Sequence, residues 1–195
     1  FPAEFHAQTA VEAAVTLHDQ VKDKLDDIDK ILISTHESAI RIISKEGVLN
    51  NPADRDHCLQ YMTAIGLLKG DLVAEDYEDD VASDPLVDQL REKMVIEEDI
   101  RYTEEYLESD KRSIANAIQI LFKDGTSTDK IEVEYPIGHR RRREQGIPLL
   151  VEKFERNLAT QFSEERCQNI LNLCMDQNNL ETTSVLDFMD LFVAE

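Results

Sequence analysis

The sequence predicts an α+β fold, in which helices pack on a small, mainly antiparallel sheet. Short segments in which apolar and polar residues alternate are typical of strands with one buried face. Longer segments place apolar residues three or four positions apart and begin or end at residues that favour helix termini. An Asp-Gly pair between two alternating segments indicates a hairpin, and therefore antiparallel pairing. Helices packed on such a sheet define the α+β class.

The strand-like segments lie in three parts of the chain. We expect β structure over Lys30–Ile43, with an irregularity near its middle, and a strand over Met94–Ile100. Ile114–Lys123 and Lys130–Tyr135 both alternate in polarity, and Asp124-Gly125 marks the turn between them. These last two segments therefore predict a hairpin.

Helical patterns account for most of the remaining sequence up to residue 136. Phe1–Leu25 carries an apolar stripe at helical spacing and predicts the first helix. Asn51 before a proline is a strong helix start, so we expect a helix over Pro52–Lys69 that ends at Gly70. Asp84-Pro85 predicts the start of a further helix in the same way.

A boundary is expected near residues 136–146, where a polar run with four consecutive arginines follows Pro136. We therefore divide the chain into an α+β domain, 1–136, and a linker with a C-terminal helical segment, 137–195. In the second part, Pro148 predicts the start of one helix and Ser163 the cap of the next.

The charge of the chain restricts its partners. The formal net charge is −20, and the stretch 71–110 holds sixteen acidic and three basic residues. Nucleic-acid binding needs a broad basic surface, so this class of partner is not expected. The acidic stretch is interpreted as a solvated face, because it contains no loop with the spacing of calcium ligands.

Other compositional features exclude further classes. No apolar run approaches about 20 residues, so no membrane span is expected. The three cysteines, at positions 58, 167 and 174, are widely spaced and odd in number, which indicates a reducing compartment rather than a disulfide framework. No close cysteine pair is present for a metal, so no metal site is predicted.

The stretch His36–Tyr61 has the highest density of candidate functional side chains. His36 and Ser38 precede an apolar run, and Arg55 and His57 lie among further acidic and amide residues just after a turn. This density predicts a surface that faces a polar ligand. The alternative is a well-capped surface helix, which would use one or two of these polar groups at its start.

Four segments carry a resemblance to a known family. In chain order they resemble the C-terminal half of enzymes of the MmgE/PrpD family, and together they cover essentially the whole chain. These segments are FPAEFHAQTAVEAA (Phe1–Ala14), HESAIRIISKEGVLNNPADRDHCLQY (His36–Tyr61), KRSIANAI (Lys111–Ile118) and VEYPIGHRRRREQGIP (Val133–Pro148).

The resemblance implies an arrangement of domains. Residues 1–136 would form a lid domain, and the final helices would return to pack on a missing all-helical domain that precedes Phe1. The chain is then expected to be a fragment of a longer protein and inactive alone. Family members are commonly dimers, so a homodimer is expected. The implied location is the cytoplasm, with the mitochondrial matrix as the alternative.

The resemblance also implies a reaction, the dehydration of 2-methylcitrate to 2-methyl-cis-aconitate in propionate catabolism, with no metal and no cofactor. A proton must leave a carbon next to a carboxylate while a hydroxyl departs from the neighbouring carbon. This requires a general base, an acid for the leaving oxygen, and donors for three carboxylates. Histidine suits the proton transfers near neutral pH, and arginine suits the carboxylates.

Five residues are our candidates for the roles that this reaction requires. His6 and His36 are the expected catalytic residues, and Ser38, Arg55 and His57 are the expected substrate contacts. The family's catalytic-site lysine would precede Phe1. Related decarboxylases have a histidine at the position of Glu4 and a tyrosine close to Ser38, so this chain departs from them at both places.

Three alternative functions remain open at this point. Within the family they are a citrate/cis-aconitate hydratase and a cis-aconitate decarboxylase. Outside enzymes, the chain could be a non-catalytic acidic interaction domain. The run Arg140–Arg143, with His139, could attract a tricarboxylate, but we favour a structural role in which it pairs with the acidic lid or a second subunit.

Overall fold

Four strands form one mixed sheet in the order β2-β1-β3-β4. β1 pairs in parallel with β2 and antiparallel with β3, and β3 pairs antiparallel with β4. The α+β class and the mainly antiparallel sheet are therefore confirmed. The structure is a computed structural model, and it describes residues 1–193. The strands are β1 (Ile28–Thr35), β2 (Met94–Glu98), β3 (Asn116–Phe122) and β4 (Ile131–Val133).

One face of the two central strands forms the wall of the core. Ile31 of β1 lies opposite Ile120 of β3, and Ile33 lies opposite Ile118. All four side chains are at most 1% exposed. Because side chains of a strand alternate between the two faces, this register places the β-branched residues of both strands on the same side.

Helix α1 packs between this sheet face and α4. Its buried residues recur at helical spacing and are Ala10, Val11, Ala13, Ala14, Leu17 and Val21. The helices of the first unit are α1 (Gln8–Val21), α2 (Glu37–Ile43), α3 (Pro52–Arg55), α4 (Leu59–Lys69), α5 (Asp79–Ala82), α6 (Pro85–Glu92) and α7 (Ile100–Leu107).

The local helix signals hold in this unit. The Asn51 side chain accepts a hydrogen bond from the backbone N–H of Asp54, and the Asp84 side chain does the same for Leu86. Gly70 ends α4 in the left-handed conformation at φ +70°, which favours glycine because it has no Cβ. The first helix is shorter than expected, because a 3₁₀ turn over Phe5–Ala7 precedes α1.

The prediction of β structure over Lys30–Ile43 is wrong in its second half. β1 ends at Thr35, and Glu37–Ile43 is α2. The run of β-branched residues favours a strand locally, but burial of Ala39 and Ile43, four positions apart, selects a helix. The correction matters for function because His36 lies at the junction of the two elements.

The predicted helix over Pro52–Lys69 is interrupted. α3 ends at Arg55, and α4 begins at Leu59 after Cys58, whose backbone is extended. This break interrupts the helical hydrogen-bond ladder and separates Arg55 and His57 from the long, buried α4.

The chain divides into two compact units, with the second beginning at Ile137. The second unit contains α8 (Arg143–Ala159), α9 (Glu164–Met175), α10 (Gln177–Thr182) and α11 (Val185–Asp190). The predicted helix start at Pro148 is wrong, because α8 begins at Arg143 and continues across this proline, which cannot donate a backbone hydrogen bond. The Ser163 cap is confirmed. No helix within residues 1–193 has the length and apolarity needed to cross a membrane.

The contact between α1 and α4 at Gly66 predicts the effect of one substitution. A Cβ at Gly66 of α4 would lie 2.9 Å from the Cβ of Ala14 in α1, whereas a Cβ at Gly138 would meet no atom within 4 Å. Alanine normally favours a helix by about 1 kcal/mol over glycine. Here we expect Gly66→Ala to lower the free energy of unfolding by about 1–3 kcal/mol, because the two helices must separate. Urea denaturation measures this. Equal or greater stability of Gly66→Ala, relative to the Gly138→Ala control, would contradict the close packing.

Candidate functional site

Three aromatic side chains from distant parts of the first unit converge at one end of the sheet. His36 directly follows β1 and is the N-cap residue of α2. His6 lies in the 3₁₀ turn that precedes α1, and Tyr106 lies in the last turn of α7. The ring centroids of His6 and His36 are 5.1 Å apart, and Tyr106 stacks on His36 at 4.8 Å. We call this set the His6–His36–Tyr106 cluster.

Glu4 orients the His6 ring. Oε1 of Glu4 lies 2.8 Å from Nδ1 of His6, and Oε2 accepts a 2.7 Å hydrogen bond from the His6 backbone N–H. A carboxylate at Nδ1 favours the tautomer in which that nitrogen carries the proton. Nε2 is then an acceptor, and the Tyr106 hydroxyl lies 3.4 Å from it. The result is a carboxylate–imidazole–phenol chain.

The backbone of His6 is held from the sheet. Asn116, the first residue of β3, is fully buried, and its Nδ2 donates to the His6 carbonyl at 2.9 Å and to Oγ1 of Thr9 at 2.7 Å. Thr9 in turn donates to the carbonyl of Ile114 at 2.5 Å. These buried hydrogen bonds restrict the position of His6 and Thr9, although Oδ1 of Asn116 is buried without a partner among residues 1–193.

His36 is a buried imidazole without a polar partner. The residue is 0% exposed, and neither ring nitrogen has a hydrogen-bond partner among residues 1–193. The pKa of His36 is lowered to about 4, mainly by burial and further by the nearby His6, while Glu4 opposes the shift. His36 is therefore neutral at pH 7, and it retains both a donor and an acceptor.

The other predicted site residues lie apart from this pair. Ser38 is half-buried in the first turn of α2. Arg55 is buried and donates to the Tyr77 carbonyl and to Asp79, and His57 is exposed and lies against its neighbour Asp56. The structure thus brings together His6 and His36, with Ser38 two residues further along the chain, but does not bring Arg55 or His57 into contact with them.

Sequence reasoning missed Tyr106 and the role of Glu4. The available signal for Tyr106 was the pair Tyr102 and Tyr106, four positions apart in a short acidic segment that begins after the cap residue Asp99. That signal indicates a shared helix face but not its partner. Glu4 lies two residues before His6, a spacing at which the side chains meet only because the backbone turns there.

The cluster has the groups for proton transfer. The oriented His6 can accept or donate a proton, the Tyr106 phenol can donate one, and neutral His36 can form hydrogen bonds without adding charge. Within residues 1–193, no group of three or more His, Cys, Asp or Glu side chains is arranged to hold a metal ion.

Comparison with known proteins gives relatives over the full chain. It is 55% identical to "2-methylcitrate dehydratase" of Escherichia coli (strain K12) over 196 residues, which are 99% of this chain and 41% of that protein. It is 54% identical to "2-methylcitrate dehydratase, mitochondrial" of Yarrowia lipolytica, over 99% of this chain and 37% of the relative. It is 49% identical to "Probable 2-methylcitrate dehydratase" of Saccharomyces cerevisiae, over 98% of this chain and 38% of that protein. The chain therefore spans well under half the length of these relatives.

The family comparison covers most of the chain. The MmgE/PrpD C-terminal domain matches residues 1–177, which include both catalytic candidates, the whole sheet and the helices of the first unit. On this match, and on the relatives above, the chain belongs to the MmgE/PrpD family.

Proposed function

We propose that this chain is the C-terminal part of a 2-methylcitrate dehydratase, a hydro-lyase that converts 2-methylcitrate to 2-methyl-cis-aconitate. Residues 1–136 would form its lid, and the helices from Ile137 would pack on an all-helical domain outside this chain. Support comes from the names of relatives with 49–55% identity over nearly the full chain. Those relatives are more than twice as long, which leaves room for the further domain.

The observation that carries the proposal is the convergence of His6, His36 and Tyr106. Dehydration beside a carboxylate moves one proton from carbon and one to the departing hydroxyl, so it needs two positioned proton carriers. The Glu4-oriented His6 and the Tyr106 phenol, with 3.4 Å between Nε2 and the hydroxyl, supply such a pair.

His36 has a different role in this proposal. Its neutral imidazole is a poor base at pH 7 but a good hydrogen-bond donor, and a neutral donor suits an anionic substrate oxygen whose charge increases in the transition state. His36 is 0% exposed and Tyr106 stacks on it, so contact with substrate requires that Tyr106 move aside. Ser38, half-buried two residues further on, is the proposed contact for a substrate carboxylate.

The remaining proposals concern the whole protein. We propose that it needs no metal, forms a homodimer, and works in the bacterial cytoplasm or, in a eukaryotic source, in the mitochondrial matrix. The Yarrowia lipolytica relative is named as mitochondrial. Arg140–Arg142 form a 3₁₀ turn at the start of the second unit, and we retain the proposal of a structural, ion-pairing role for Arg140–Arg143.

The first prediction tests the reaction. The full-length protein, treated with a chelator, should convert 2-methylcitrate with a rise in ultraviolet absorbance from the new conjugated double bond. The isolated 195-residue chain should give no rise, because the helical domain contributes catalytic groups. The proposal would be refuted by activity with citrate but not with 2-methylcitrate, by release of carbon dioxide, or by activity that returns only when metal is added. Turnover by the isolated chain would refute the division of the site between the two domains.

The second prediction tests the cluster. In the full-length protein, His6→Asn and His36→Asn should each lower kcat by about 100-fold or more, because a positioned proton carrier or transition-state donor is lost. His57→Asn is the matched control, since His57 is exposed and lies outside the cluster. Its kcat should stay within about twofold. Equal effects of the three substitutions would remove the reason for assigning catalysis to the cluster.

The third prediction follows from the pKa of His36. In the folded protein the pKa of the His36 imidazole is about 4, below its ordinary value of 6.5. Between these two pH values, the unfolded chain therefore binds more protons than the folded chain. The stability from neutral His36 is thus complete above pH 6.5 and is lost as the pH falls towards 4. Over that interval the wild type should lose about 3 kcal/mol more stability than His36→Asn.

Urea denaturation at each pH measures this difference, since the other titrating groups are common to both proteins. His57→Asn is again the control, and its pH dependence should follow the wild type. Parallel curves for the wild type and His36→Asn would show that His36 is not buried in its neutral form.

A further inference from the structure

A cavity lies in the first unit, away from the His6–His36–Tyr106 cluster. Its volume is about 620 Å³, and neither Glu4 nor any member of the cluster lines it. The loop that follows α2 forms one wall, and the others come from α3, α4, α5, α6 and the start of β2. This volume lies within the range of sites for small molecules.

Arg55 presents a buried guanidinium to this cavity. Its side chain is only 7% exposed, and it donates from Nη1 to the Tyr77 carbonyl at 2.6 Å and from Nη2 to Oδ1 of Asp79 at 2.7 Å. Its Nε is buried and has no hydrogen-bond acceptor in the part of the chain that the structure describes. A buried charged donor without an acceptor is costly, so an acceptor that reaches this N–H when Asp79 is displaced would stabilise the guanidinium.

Arg91, from α6, repeats the pattern in the same cavity. Its side chain is 10% exposed, and it donates from Nη2 to the Gly47 carbonyl at 2.8 Å and from Nη1 to Asp88. Its Nε is also buried without an acceptor among residues 1–193. The pKa of Tyr61 in the cavity wall is raised to about 12, mainly by burial, and both Arg55 and Arg91 oppose this rise electrostatically.

The carboxylates that now pair with these arginines are exposed. The side chain of Asp79 is 86% exposed and that of Asp88 is 64% exposed. An ion pair with an exposed carboxylate contributes little, so a ligand carboxylate that is desolvated in the cavity can replace it. Glu46 and Glu92 also line the cavity but are exposed to solvent, where screening weakens their repulsion.

We propose that this cavity is a second binding site, for a small molecule that carries two carboxylates. Each ligand carboxylate takes the place of one exposed aspartate and accepts the Nε–H of Arg55 or Arg91. The site is independent of the proposed dehydration, since it shares no residue with the cluster. The sequence predicts Arg55 as a substrate contact. In this proposal Arg55 binds a ligand of related chemistry, but in this cavity and not at the cluster.

The test uses glutarate, a dicarboxylate that has no hydroxyl to lose. In nitrogen–proton correlation spectra of the 195-residue chain, the Nε–H resonances of Arg55 and Arg91 should shift together along one saturation curve. The resonance of Arg101, which is exposed and pairs with Glu132, is the internal control and should not follow that curve. Lysine substitution of each arginine assigns the resonances.

The competition between ligand and aspartate gives a second test that does not disturb a buried residue. Asp79→Asn should tighten glutarate binding about fivefold, because the internal competitor is lost. Asp80→Asn removes the same charge from an adjacent exposed residue that does not line the cavity, and should change the affinity less than twofold.

Four results would overturn the proposal. Three of them are unshifted Nε–H resonances at saturating glutarate, a shift of only one arginine, and equal effects of Asp79→Asn and Asp80→Asn. The fourth concerns a variant of the cluster. His36→Asn should bind glutarate as the wild type does. If binding is lost in that variant, the dicarboxylate occupies the cluster instead, and the second site is refuted whether or not the full-length protein dehydrates 2-methylcitrate.

Discussion

The close contact between α1 and α4 is the constraint on which the first unit depends. Gly66 lets α4 approach α1, which in turn packs on the sheet, and the core of the unit is the apolar volume between them. Because His6 immediately precedes α1, the position of this helix sets the position of the catalytic candidate. Asn116 fixes the same end of α1 to the first residue of β3. Packing and site geometry therefore have one structural origin.

His36 and the adjacent Thr35 depart from the rule that buried polar groups are paired. The hydroxyl of Thr35 and both ring nitrogens of His36 are buried and unpaired within residues 1–193, whereas the neighbouring His6 has defined partners. Each unpaired group lowers stability by about 1–3 kcal/mol. Groups of this kind persist where a ligand completes them, so the pattern favours a binding site over a purely structural core.

Sequence reasoning succeeded where the deciding interaction is local. Asn51, Gly70 and Asp84 were identified correctly because a cap satisfies backbone groups a few residues away. It failed over Glu37–Ile43 because burial by distant elements decides between helix and strand there. Likewise, His6 and His36 were candidates individually, but their approach to Tyr106 depends on contacts across about 70 to 100 residues of chain, which no local pattern encodes.

The charges around the two sites suggest different ways of handling an anion. The chain carries a net charge of −20, which repels a tricarboxylate at long range. Within residues 1–193, the ion-pair partner of Glu4 is His6, and no lysine or arginine pairs with either residue. Under the proposed function, the cations for the substrate carboxylates must then come from the helical domain, and the lid supplies neutral donors and proton carriers. The cavity lined by Arg55 and Arg91 instead has its own buried guanidinium groups, so we expect it to bind an anion without that domain. The two proposals therefore differ in a measurable way. We expect the isolated chain to bind a dicarboxylate in this cavity, and we expect it not to catalyse dehydration.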